Sequence, residues 1–173
     1  MDYFFKLLFS KGSTASISAI LLFTSPIIKS NGKDVIVSGN LKGIITHKVH
    51  RIIKTGTPVN IHFHVTLKSF YNTREKIYTN KFIHIISYNA LKKNYIIKKG
   101  AFNKTIQIKK TAEVHLGKYK TTFYNIYPKK GEIFQVYSEA ELSYKSSLKI
   151  PIKGSALWDY YIPSIKTKGI VLK

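Results

Sequence analysis

Two histidines, His62 and His64, come nearest to a chemical site by residue type and spacing. Alternate positions on a β-strand project from one face, their Cα atoms roughly 6.6–6.8 Å apart. Both imidazoles could then reach one zinc or copper ion. A zinc site needs further protein ligands, at least three when catalytic and four when structural. His47, His50, His84, His115, Glu75 and Asp159 are the other donors, and no spacing ties them to the pair. The sequence therefore assigns no metal ligands and no cofactor. A small metal-dependent hydrolase using His62 and His64 stands as an alternative reading.

Carboxylate chemistry has little material. The chain carries only 8 acidic residues. Glu139 and Glu141 share a strand face, and glycoside hydrolysis would need two placed carboxyl groups. Among so many lysines, they read as salt-bridge partners. No nucleophile elbow, phosphate-binding glycine loop or dinucleotide fingerprint occurs. With no cysteine, disulfides, thiolate catalysis and cysteine-held iron–sulfur clusters are excluded. No catalytic residues are assigned, and the chain reads as non-enzymatic.

The charge is the strongest compositional feature. The formal net charge is +21, and of the 29 basic residues only Arg51 and Arg74 are arginine. Such a surface attracts polyanions. Nucleic-acid readers concentrate arginine, whose fork matches phosphates and guanine edges, so the lysine bias argues against one. A single-stranded nucleic-acid-binding module, which needs aromatics beside a basic groove, is the second alternative. Lys92, Lys93, Lys98, Lys99, Lys109 and Lys110 would gather if residues 88–98 form a hairpin. Trp158, Tyr160 and Tyr161 form an aromatic patch that would dock a partner or close the core.

The elements behind these residues follow from periodicity. Residues 1–30 hold Lys6 and Lys11, then an apolar stretch over 16–28, and read as a signal peptide or membrane-associated leader. The apolar run is too short for a transmembrane span of about 20 residues. The body is expected over 33–173 as a single β-rich domain. Val35–Ser38 reads as a strand after the Asn31-Gly32 turn. Asn40 would cap a helix over 41–54, with Leu41, Ile44, Ile45, Val49, Ile52 and Ile53 on one face. Ile61, Phe63, Val65 and Leu67 alternate with polar residues, as do Phe134, Val136, Ala140, Leu142 and Tyr144, so both segments read as half-buried strands. Phe102–Ile108 reads as a strand passing into a short helix that ends near Gly117. Alternating faces need a second layer to bury them. The fold class is therefore mainly β, an antiparallel β-sandwich-like domain with two short helices; a single α+β sheet with a covering helix is the alternative.

Three segments also carry a family resemblance: Ile52-Ile-Lys-Thr-Gly-Thr-Pro-Val59, the alternating strand 61–67, and Ser87-Tyr-Asn-Ala-Leu-Lys-Lys-Asn-Tyr95. Their order resembles bacterial domain-of-unknown-function family 4390, with Tyr88, Ala90, Leu91 and Tyr95 matching its tyrosine-x-alanine-leucine segment. Ala112–Gly117 is similar to its second short helix, and 132–152 to its long strand. Lys68–Arg74 lacks the tryptophan that the family often carries there. The resemblance implies an exported domain of unassigned activity, periplasmic or membrane-associated. Its expected partner is a protein or an anionic membrane surface.

Overall fold

The computed structural model describes residues 21–145, 151–153 and 162–172. The start of the expected leader and the Trp158–Tyr161 patch lie outside them. Among the described residues, no helix is long and apolar enough to cross a membrane.

In chain order the elements are β1 (Leu22–Phe23), β2 (Ile27–Ser30), β3 (Val35–Lys42), α1 (His47–Lys54), β4 (Val59–Tyr71), β5 (Arg74–Asn89), β6 (Asn94–Lys99) and β7 (Phe102–Ile106). They continue with α2 (Lys109–Gly117), β8 (Lys118–Phe123), β9 (Ile133–Lys145), β10 (Pro151–Lys153), β11 (Ser164–Lys166) and β12 (Ile170–Val171). Two antiparallel sheets result. In the larger one the order is β9-β4-β5-β6-β7, and β10, β11 and β12 all pair with β9. In the smaller one β3 pairs with β1, β2 and β8. The domain is mainly β and sandwich-like, with two short helices.

The alternation on β4 sets this arrangement. Val59, Ile61, Phe63, Val65 and Leu67 are fully buried, while Asn60, His62, His64, Thr66 and Lys68 are not. The turn into β5 places Asn72 and Thr73 at φ 46° and 63°, the two positive values of a tight hairpin turn. β9 flanks β4 on its other edge and buries Phe134, Val136, Ala140 and Leu142 on the same side. Against that side lies the small sheet, contributing Phe23, Val35, Val37, Leu41 and Tyr119.

The expected helix over 41–54 is shorter than its apolar spacing suggests. β3 runs through Leu41 to Lys42, and Gly43 turns the chain at φ 76°. Thr46, not Asn40, caps α1, its hydroxyl accepting from the Val49 N–H at 3.2 Å. Leu41, Ile44 and Ile45 are still buried, so tertiary packing supplies the apolar pattern without helix there.

The body also begins earlier than residue 33. β2 pairs with β3 from Ile27↔Ser38 to Ser30↔Val35. Phe23 is only 4% exposed and meets Phe63 and Tyr119 edge-on, at 6.5 and 6.2 Å between ring centroids. A chain beginning at Pro26 should therefore lose about 3 kcal/mol of stability, the low end for removing a buried phenylalanine. Urea denaturation against the full chain measures this; an unchanged midpoint would mean that β1 contributes nothing to the core.

Candidate functional site

β4 carries His62 and His64 on the face turned away from the small sheet, and neither is free. His62 Nε2 lies 2.7 Å from Ser143 Oγ. His64 Nδ1 lies 3.2 Å from Glu139 Oε1, and the other oxygen of Glu139 accepts from the Tyr137 hydroxyl at 2.9 Å. The register sets His62 opposite Glu141 and His64 opposite Glu139. Each imidazole therefore meets its own neighbour on β9 instead of converging on a shared point. Burial lowers the pKa of His62.

The other donors are dispersed. Glu75 pairs with Lys68 at 2.6 Å, His50 bonds the Tyr95 hydroxyl at 2.9 Å, and His115 faces Lys104 Nζ at 3.0 Å. Asp159 lies outside the described residues. Among the described residues, no three of His, Asp and Glu come together to hold a metal ion.

A different arrangement forms where the two sheets approach. β6 leaves β5 at the Lys99↔His84 pair, so the edge of β5 before His84 is not continued by β6. β8 runs close to this edge, and one side chain from β5 and one from the end of β6 reach it. Asn80 Nδ2 donates to Thr121 Oγ1 at 2.8 Å and to the Thr122 carbonyl at 3.0 Å. Lys99 Nζ donates to the Lys118 carbonyl at 2.5 Å. Beside these ties opens a cleft of about 700 Å³.

Phe82, His84 and Tyr119 form its inner wall, the β1–β2 link (Thr24, Ser25) one side, and Lys99, Lys118 and Lys120 its cationic lining. Among the described residues, no carboxylate lines it. Gly39 makes the wall possible: a Cβ there would sit 2.5 Å from the Tyr119 hydroxyl oxygen. That hydroxyl bonds Ser138 Oγ at 2.9 Å, and burial raises its pKa.

His84 is 5% exposed, and its Nδ1 lies 2.7 Å from the Leu116 carbonyl. A carbonyl only accepts, so Nδ1 carries the proton and the neutral ring leaves Nε2 as an acceptor. Burial, with Lys99 nearby, lowers its pKa to about 4. Burial also lowers Lys99, to about 8. The cleft thus combines an aromatic wall, a neutral imidazole and lysines with no acid beside them among the described residues. That chemistry suits an anionic group.

A hairpin over 88–98 is expected to gather Lys99 with Lys92, Lys93, Lys98, Lys109 and Lys110. The hairpin forms, but Lys92 and Lys93 lie at its tip while Lys99 pairs across from His84. The parity of β5 and β6 could have put Lys99 and His84 on one face. Nothing local could have brought Lys118, Lys120 or Tyr119 to them, because β8 belongs to the other sheet.

A family model described as a domain of unknown function (DUF4390) matches residues 22–122, more than half of the chain. The match starts at the first residue of β1 and ends within β8, taking in every residue that lines the cleft. No curated protein and no solved structure matches.

Proposed function

The chain belongs to the DUF4390 family, whose description assigns no activity, and we propose that it is a non-enzymatic cell-envelope domain that holds an acidic segment of a partner protein in the cleft between its sheets. The observation that carries this reading is a recess lined, among the described residues, by three lysines and no carboxylate. Lys99 is half-buried and so is screened less than the exposed Lys118 and Lys120, and its ammonium gains most from an anion where water is scarce. A recess suits a protruding polypeptide segment better than a flat plane of lipid headgroups. The envelope placement rests on the basic, apolar start of the chain and on the family resemblance.

Charge reversal tests the binding. Replacing Lys118→Glu and Lys120→Glu together should weaken binding of a polyglutamate peptide at least tenfold, about 1.4 kcal/mol. Both side chains are exposed, so the fold should be retained. Equal affinity in the variant would remove the cleft from the reading. Tighter binding of a single-stranded oligonucleotide, lost in the same variant, would replace the protein partner with nucleic acid. Cell fractionation with N-terminal sequencing tests the location. An extracytoplasmic chain starting no later than Leu22 is expected, because later cleavage discards β1; an intact soluble cytosolic chain would contradict the envelope assignment.

A further inference from the structure

A second pocket, of about 510 Å³, lies at the β4–β5 hairpin end. It is six residues from the cleft along β5, Lys76 to Phe82, roughly 20 Å by strand rise. The register builds it. Ser69 of β4 stands opposite Lys76 of β5, and Tyr71 stands opposite Arg74. Opposed residues project from the same face of a sheet, so these four share the face that carries the core. All four line the pocket, and the segment of Ile126, Tyr127 and Lys129 closes it.

Ser69 is 1% exposed, and its hydroxyl has no hydrogen-bond partner among the described residues. Most buried polar groups are satisfied, and an exception calls for an explanation. Ser69 itself is one of the residues around a pocket flanked by cations. Arg74, Lys76 and Lys129 face one carboxylate, Glu132, whose Oε2 already accepts from the Lys129 backbone N–H at 2.8 Å. Lys129 Nζ lies over the Tyr71 ring, 4.8 Å from its centroid, a contact that leaves its charge uncompensated. The acid of the neighbouring pair, Glu75, alternates to the opposite face with its partner Lys68.

The far wall is fixed in an unusual backbone shape. Asn125 and Tyr127 adopt φ 57° and 51°, uncommon for residues other than glycine. The Asn125 N–H donates to Asp34 Oδ1 and the Tyr127 N–H to the Lys33 carbonyl, both at 2.9 Å.

We infer that this pocket binds a small oxyanion, a phosphate or carboxylate group, with the Ser69 hydroxyl donating from the floor and Arg74 and Lys76 flanking it. Arg74 presents the planar fork that matches an oxyanion, and Ser69 supplies a hydroxyl that no group among the described residues engages. The group would reach the pocket either free in solution or as a lipid headgroup.

Titration of the full-length chain with inorganic phosphate, followed by backbone amide shifts against sodium chloride at equal ionic strength, tests this. Saturable shifts at Ser69, Arg74 and Lys76 are expected, with the dissociation constant raised about tenfold by Ser69→Ala and by Arg74→Gln. The serine change removes only an unpartnered hydroxyl, so the variant should fold. In a second arm, phosphatidylglycerol vesicles are compared with phosphatidylcholine vesicles. Phosphatidylglycerol binding weakened by Ser69→Ala, without saturation by free phosphate, would assign the oxyanion to a headgroup. The Lys118→Glu, Lys120→Glu variant should leave the phosphate titration unchanged, which separates this pocket from the cleft. Shifts no different from those with chloride, together with no preference for phosphatidylglycerol, would overturn the inference. So would a dissociation constant indifferent to Ser69→Ala, or phosphate shifts lost on charge reversal in the cleft.

Discussion

Replacing Phe63 with alanine should cost about 4–5 kcal/mol of folding stability, the upper end for truncating a buried aromatic. Phe63 is fully buried at the junction of both sheets. Its ring centroid lies 5.3 Å from Phe82 and 4.7 Å from His84 on the large sheet. It lies 6.5 Å from Phe23 and 5.5 Å from Tyr119 on the small one. Truncation would strip partners from four rings together, and the two sheets limit how far the gap can close. Against a typical domain stability of about 5–15 kcal/mol, the variant should be marginal. Leucine at this position restores volume and should cost roughly half as much. Urea denaturation of both variants measures this. A loss below about 1 kcal/mol for alanine would mean that the sheets do not share one interior.

Acid should weaken the fold through His84. Its folded pKa is about 4, below the ordinary 6.5, because burial disfavours the charged ring. The unfolded chain therefore takes up a proton near pH 6.5, while the folded chain resists it until about pH 4. Stability is fullest above pH 6.5 and declines as the pH falls through that window. The depression corresponds to about 3 kcal/mol at most. His84→Asn keeps an N–H able to reach the Leu116 carbonyl and removes the titration. Between pH 7 and pH 4, its stability should fall less than that of the unaltered chain by most of that amount. Parallel pH profiles would show that His84 is not held neutral.

The sequence was most readable where one periodicity had one explanation. On β4, every second residue from Val59 to Leu67 is buried, as the alternation required, and the β9 face followed the same rule. The segment 41–54 was harder because spacing is ambiguous. Leu41, Ile44 and Ile45 sit at helical intervals, yet they reach the core from a strand end and the turn after Gly43. Residues 22–30 read as part of a leader in the sequence because strands and leaders draw on the same apolar residues, and only pairing with β3 tells them apart. The facing of His62 and His64 was legible from parity, but their individual partners Ser143 and Glu139 depended on the register of β9.

Both candidate sites were largely hidden for a related reason. The cleft takes residues from the β1–β2 link, β3, β5, β6 and β8, which long-range pairing brings together. Its lysines look like any others in a lysine-rich chain, and their distinction is that no acid among the described residues lines the cleft with them. Ser69 had no mark in the sequence at all. It occupies a core position of β4 that local reading would fill with an apolar side chain, and only its missing partner makes it conspicuous.

Binding in the cleft is tested most directly by mapping a polyglutamate peptide onto the full-length chain by amide chemical shifts at physiological salt. The largest saturable shifts should fall on Phe82, His84, Lys99, Lys118 and Lys120. Shifts centred instead on the His62–Glu139 face, or spread evenly over exposed lysines without saturating, would contradict the assignment.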